Sequence, residues 1–309
     1  MNRVLWIAAW LFLAGSVKAD DCTLKRVAQF DMELRGGTPV IEVMLNGRPA
    51  KMVVDTGAVW SALSSRAAEG LNSKRVEHKT ITGMGGGEIT HVAVVPELAL
   101  DAVTLPDFQF LILDEKWSQD TDITGLIGTN ILQKFDVEID YHGQKVIFYS
   151  QDHCPGHVIS WPHDNFARLP FDWSYNGPIV VPVKLDGHSL KAKLDTGASE
   201  SFIEDKLVSD LFALTGDTPG VEPAGTVVGP DGKQLTLYQH RFEILELDEL
   251  KFPHPKITFY AGKSHENDCI GVHCRRGGGA DMLLGARHLR ALHLYIAYRE
   301  HAVYATTAN

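Results

Sequence analysis

The tetrapeptide Asp-Thr-Gly-Ala occurs twice in this chain of 309 residues, at 55–58 and at 195–198, and each copy closes a longer matching stretch. Residues 43–58, VMLNGRPAKMVVDTGA, align with 183–198, VKLDGHSLKAKLDTGA, at an offset of 140. A second block matches 98–113 to 245–260 at an offset of 147, and a third matches 125–146 to 282–303 at an offset of 157. Ordered blocks separated by small insertions mark an internal repeat, read here as a duplication. Two related units are therefore expected, and whatever the tetrapeptide presents is presented twice.

The local period inside each copy is that of strands. PVIEVMLNG, PIVVPVKLDG and DVEIDYHGQKVIFY alternate apolar with polar residues and carry the turn signals Asn46-Gly47, Asp186-Gly187 and His142-Gly143. Helical pattern is confined to short pieces, SRAAEGL, NILQKF, EDKLVSDLFAL and RHLRAL. The expected fold class is all-β, with two homologous lobes at 20–150 and 177–309 and a site between them. The join at 151–176 is rich in Pro, His and aromatic residues, which suits a packed connection better than a flexible linker.

The first 19 residues carry Arg3, an apolar run from Val4 to Gly15, and small residues at Val17 and Ala19. This is the pattern of a cleaved signal peptide, and the run is short of the roughly 20 apolar residues a membrane span needs. An exported protein meets an oxidising compartment, so the four cysteines, Cys22, Cys154, Cys269 and Cys274, are expected as two disulfides. Sequence allows three connectivities. The close pair CIGVHC suggests Cys269–Cys274, with Cys22 left for Cys154; it falls where the repeat offset grows by 10, in an extra loop of the second copy. A zinc site from His265, Cys269, His273 and Cys274 is the weaker reading, because the second short pair of a structural site is missing. With 39 acidic against 29 basic side chains, nucleic acid and anionic lipid surfaces are poor partners, and removal of Arg3 and Lys18 makes the chain more acidic still.

A strand that ends in Asp-Thr-Gly can turn at the glycine and hold its aspartate at a loop tip, with the threonine hydroxyl tied to nearby backbone. Two such loops meeting across an axis make a carboxylate pair. Like charges that close share one proton, so one member can act as base on water while the other donates to a carbonyl. No metal or cofactor is required. One copy alone would be weak support, since Asp and Gly are ordinary turn residues.

The two motifs come with further matching pieces. Each copy has an apolar-apolar-Gly segment, LIG at 126–128 and LLG at 283–285, followed by a short helix and a hairpin, and ITGMGGGEI at 81–89 is glycine-rich. Over nearly all of residues 38–305 the chain resembles an aspartic peptidase of the retropepsin-like, bilobal bacterial kind. The resemblance implies Asp55 and Asp195 as catalytic, Thr56 and Thr196 as bracing threonines, Gly57 and Gly197 as turn glycines, and Met84, Gly85 and Gly86 as the tip of a substrate-covering flap, with VVGPDGKQL at 227–235 as a second one. LIG and LLG would pack beneath the aspartate loops. Neither flap carries the tyrosine of pepsin-like flaps, and no long basic propeptide precedes the first lobe. The implied protein is an exported, periplasmic, monomeric endopeptidase that takes polypeptide substrates and keeps no stable membrane association. The alternative is a catalytically inactive peptide-binding protein of the same fold.

Overall fold

The computed structural model describes residues 23–308 except 72, 83–87, 114–117, 119, 155, 157, 160, 162–165, 173–176, 229–233 and 261–278. The first half runs β1 (Arg26–Arg35), β2 (Thr38–Leu45), β3 (Arg48–Val54), β4 (Ala62–Ser64), α1 (Ser65–Gly70), β5 (Lys74–Thr82), β6 (Glu88–Leu100), β7 (Val103–Leu113), β8 (Ile123–Ile127), α2 (Thr129–Leu132), β9 (Asp136–Asp140) and β10 (Lys145–Tyr149). After β11 (Ala167–Pro170) the second half runs β12 (Val180–Leu185), β13 (His188–Leu194), β14 (Phe202–Ile203), α3 (Asp205–Phe212), β15 (Val221–Val228), β16 (Gln234–Arg241), β17 (Ile244–Leu247), β18 (Leu250–Pro253), β19 (Lys256–Tyr260), β20 (Met282–Leu284), α4 (Ala286–Leu289), β21 (Leu292–Ala297) and β22 (Ala302–Thr307). The protein is all-β, of the acid-protease-like kind.

Local chemistry sets these elements. Asn46 and Gly47 have φ of 50° and 70°, Asp186 and Gly187 of 46° and 81°, the paired left-handed geometry that a two-residue hairpin turn needs. The turns fix the registers Leu45–Arg48 and Leu185–His188. Each expected helical piece forms a short helix after an aspartate loop or an apolar-apolar-Gly strand. At α1 the Ser64 hydroxyl caps the start by accepting from Ala67 N–H at 3.2 Å.

Strand pairing has the same sense in both halves. β3 runs parallel to β8 with Val54 beside Ile127, and β13 runs parallel to β20 with Leu194 beside Leu284. β4 and β14 each lie antiparallel to that second strand and parallel to a third, β7 or β19. Each aspartate therefore leaves the C-terminal end of a strand hydrogen-bonded inside a sheet.

The two halves also share strands of one sheet. Strands β11, β22, β21, β9, β10 and β1 adjoin in one sheet, so the last two strands of the chain extend the first half. Alternation reveals which face of a strand is buried but not which strand lies next to it. The middle pairing, β9 with β21, puts Glu138 opposite Tyr295, the two positions that the third repeat block aligns.

Polar side chains pin this shared sheet. Buried Glu138 accepts from Tyr149 Oη at 2.6 Å and Trp161 Nε1 at 2.9 Å, and its Oε1 lies 2.7 Å from His293 Nε2. Burial alone would raise its pKa, yet these partners together hold it below the usual value. Asp136 accepts from Tyr298 N–H at 3.1 Å and lies 2.6 Å from His153 Nε2. Trp161 and His153 bring the 151–176 connection into the contact, and Val158 in the same segment is buried. Cys154 is not a free thiol. The expected signal peptide, Cys22, Cys269 and Cys274, the alternative zinc residues and the flap tip Met84, Gly85 and Gly86 lie outside the described residues.

Replacing Glu138 by Leu leaves the Tyr149 and Trp161 donors without their acceptor, and a loss of about 2–4 kcal/mol is expected. Urea denaturation at pH 7 measures it. An unchanged midpoint would show that the shared sheet does not depend on this carboxylate.

Candidate active site

The strands described above deliver two loops to one place. Met52 and Val54 on β3 and Ala192 and Leu194 on β13 are buried, so Asp55 and Asp195 start from anchored backbone. The neighbouring strand holds each aspartate directly: Asp55 N–H donates to Ile127 O at 2.9 Å, and Asp195 N–H donates to Leu284 O at 3.0 Å. Beyond each glycine, Ala58 O accepts from Thr129 N–H at 2.8 Å and Ala198 O from Ala286 N–H at 2.7 Å. The LIG and LLG segments thus brace the loops, and the short helices that follow are part of the same brace.

A serine completes each brace. Ser61 Oγ accepts from Gly128 N–H at 2.9 Å and bonds Asn130 Oδ1 at 2.8 Å. Ser201 Oγ accepts from Gly285 N–H at 3.0 Å and lies 2.7 Å from His288 Nδ1. Burial and the Arg287 charge push His288 down to about 4, so the ring is neutral in this contact at pH 7. Motif reading passed over these serines, although each stands at the same place in its repeat, in DTGAVWS and DTGASES.

The two loops lock together through their threonines. Thr56 N–H donates to Thr196 Oγ1 and Thr196 N–H to Thr56 Oγ1, both at 3.1 Å. The hydroxyls then donate across the contact, Thr56 to Leu194 O at 2.9 Å and Thr196 to Val54 O at 2.6 Å. Both threonines are buried, and the opposite half pairs their hydroxyls and N–H groups.

The glycines make room for the opposite carboxylates. A Cβ on Gly57 would sit 2.1 Å from Asp195 Cγ, and one on Gly197 would sit 2.4 Å from Asp55 Cγ. Neither loop can carry a side chain there without displacing the other's aspartate. Asp55 Oδ1 accepts from Gly57 N–H at 2.8 Å and Ala58 N–H at 2.9 Å, while Asp195 Oδ1 accepts from Ala198 N–H at 3.0 Å. Asp55, Thr56, Gly57, Asp195, Thr196 and Gly197 are therefore assembled into one site.

Desolvation, and next the charge of Asp195, push Asp55 up to about 7. Lys193 opposes this: its Nζ lies 3.5 Å from Asp195 Oδ2. Motif reading gave this lysine no role.

The walls beside the loops differ between halves. Val53 on β3 pairs with Val40 and Leu126, and the same sheet face continues through Ala62, Leu111 and Val92 as an apolar cluster. The corresponding positions of the second half are Lys193, Val180, Leu283, Phe202, Thr258 and Gln239. A cavity of about 240 Å³ opens on that polar stretch, between Phe202, Gln239 and Thr258, with Glu200 and Arg287 also lining it.

Two outcomes are expected. Thr56→Val leaves the buried Thr196 N–H without an acceptor and should cost about 1–3 kcal/mol, read by urea denaturation; a neutral result would remove the lock from the account. Asp55→Asn should act on stability according to pH. A carboxyl whose pKa rises on folding binds more protons in the folded state, so wild-type stability falls as pH climbs from about 4 to about 7. The variant escapes that loss, so its melting temperature should exceed wild type at pH 7.5 and match it near pH 3.5; equal melting at both values would contradict the raised pKa.

Comparison with known proteins bears on the first half of this arrangement. No curated protein matches the chain. A family model described as aspartyl protease matches residues 41–131, the stretch that runs from β2 through the first aspartate loop and the LIG segment into α2.

Proposed function

We propose that the protein is an aspartic endopeptidase that hydrolyses peptide bonds with a water activated between Asp55 and Asp195. The observation that carries the reading is the exchange of space between the loops, each glycine lying against the carboxyl of the opposite half. The aspartyl protease match over residues 41–131 supports it independently.

The chemistry needs one proton shared by the pair. The ionised carboxylate accepts a proton from water as its oxygen attacks the peptide carbon, and the protonated one donates to the carbonyl oxygen, giving a tetrahedral diol. Collapse breaks the C–N bond. The first carboxyl passes its proton to the leaving nitrogen while the second takes back a hydroxyl proton, so the pair returns to its starting state. The backbone N–H groups on Asp55 Oδ1 and Asp195 Oδ1 fix the carboxyl planes throughout.

The reading extends to the rest of the chain. Residues 1–19 act as a signal peptide, which places the mature protein in the periplasm, with disulfides Cys22–Cys154 and Cys269–Cys274. Because both aspartates come from one chain, the working unit is a monomer. The repeated strand order supports an origin by duplication, and Met84, Gly85 and Gly86 are assigned to a flap over the substrate on the strength of the resemblance alone.

Incubating the mature protein with a diverse peptide library between pH 3 and 8, followed by mass spectrometry, tests the proposal. Wild type should cleave best at acidic to mildly acidic pH, and Asp55→Asn and Asp195→Asn should each lower the rate roughly 10²–10⁴-fold. Cleavage equal in both folded variants would refute the dyad. Tight peptide binding without turnover by wild type would instead assign the cleft to recognition.

A further inference from the structure

Lys193 is a charged residue on the sheet face that leads into Asp195. It stands two residues before Asp195 on β13, where side chains alternate, so both project from the same side of the strand. Its side chain is only 11% exposed, and Nζ is 3.5 Å from Asp195 Oδ2. That separation is longer than a hydrogen bond and acts through charge. The position that corresponds to it in the first half is Val53, within an apolar cluster. The pair is thus nearly symmetric in its backbone and asymmetric in its electrostatic surroundings.

Resting on the peptidase reading, we propose that Lys193 is a positioning residue that holds Asp195 as the ionised member of the pair, so that Asp195 activates the water and Asp55 carries the proton donated to the substrate carbonyl. The backbone pulls the other way, since Asp55 Oδ1 accepts two N–H groups and Asp195 Oδ1 one. A full positive charge in a site that substrate closes off from water outweighs one additional neutral donor. The raised pKa of Asp55 agrees in direction.

Other charges around the ammonium do not cancel it. The residues paired with Lys193 on β12 and β20 are Val180 and Leu283, both apolar. Lys191, the next residue on its own face, is exposed, and Asp281, just before β20, accepts from Lys191 N–H at 2.7 Å. Glu200 and Arg287 neutralise each other through a bond of 2.6 Å. Among the described residues, the carboxylate within 4 Å of Nζ is that of Asp195.

Removing the cation should raise both apparent pKa values of the pair, which belong to the pair as a whole. The test uses the full mature chain as wild type, Lys193→Met, Lys193→Gln and Lys193→Arg, with two readouts. Aspartate carboxyl carbons are titrated by NMR in the folded protein, without substrate. The pH dependence of kcat is then measured on a peptide that wild type cleaves. The Met and Gln variants should move both midpoints, and both limbs of the kcat profile, upward by about one pH unit, while Arg stays at wild type. Unmoved midpoints in either folded neutral variant would overturn the proposal, as would a change confined to KM, which would make Lys193 a substrate contact. If wild type cleaves nothing yet the midpoints still move, the peptidase reading fails and the electrostatic assignment stands on the titration.

Discussion

Four hydrogen bonds between Thr56 and Thr196 and the strands behind them are the contact on which the site depends. Each hydroxyl accepts from the opposite threonine's N–H and donates to the last carbonyl of the strand that leads into the opposite loop. Every group is both buried and used, so rotating either side chain leaves a desolvated donor or acceptor on the other half. A small change at one loop is therefore transmitted to both. The carboxylates, which contribute repulsion rather than cohesion, can be forced together because this lock and the strands beneath it carry the cost.

The shared sheet does for the halves what the threonines do for the loops. Glu138 and Asp136 on β9 gather partners from the first half, from the connection and from β21 and its turn. The halves are thus joined by continuous backbone hydrogen bonding where β9 pairs with β21. The strands behind the two aspartates, β3 and β13, lie in different sheets, so the threonine contact is what ties the two loops directly.

Much of this was legible in the sequence, and the reasons are local. Asn46-Gly47 and Asp186-Gly187 announce their hairpins because few residues accept two positive φ angles in succession. The repeated DTGA and apolar-apolar-Gly segments announced the loops and their braces. Ser61 and Ser201 were equally available, standing at matching places, but serine is too common in turns to draw notice by itself. What could not be read was partnership across the sheet. Nothing in LHLYIA says that it pairs with DVEID of the other half, and Lys193 in KAKLDTGA reads as an ordinary exposed strand residue until Asp195 is placed beside it.

The crossed placement of the glycines bears on how the two halves can change over time. Gly57 is spared a side chain for the sake of Asp195, and Gly197 for the sake of Asp55. A drift in either tetrapeptide is felt first in the partner half, so neither copy can be altered independently while the pair is kept. Outside that crossing the halves differ: lysine stands at 193 where the first half has valine at 53, and a polar stretch stands where the first half has an apolar one. The four letters that recur unchanged mark the extent of the mutual constraint, and the divergence around them marks where each half can acquire its own chemical preference.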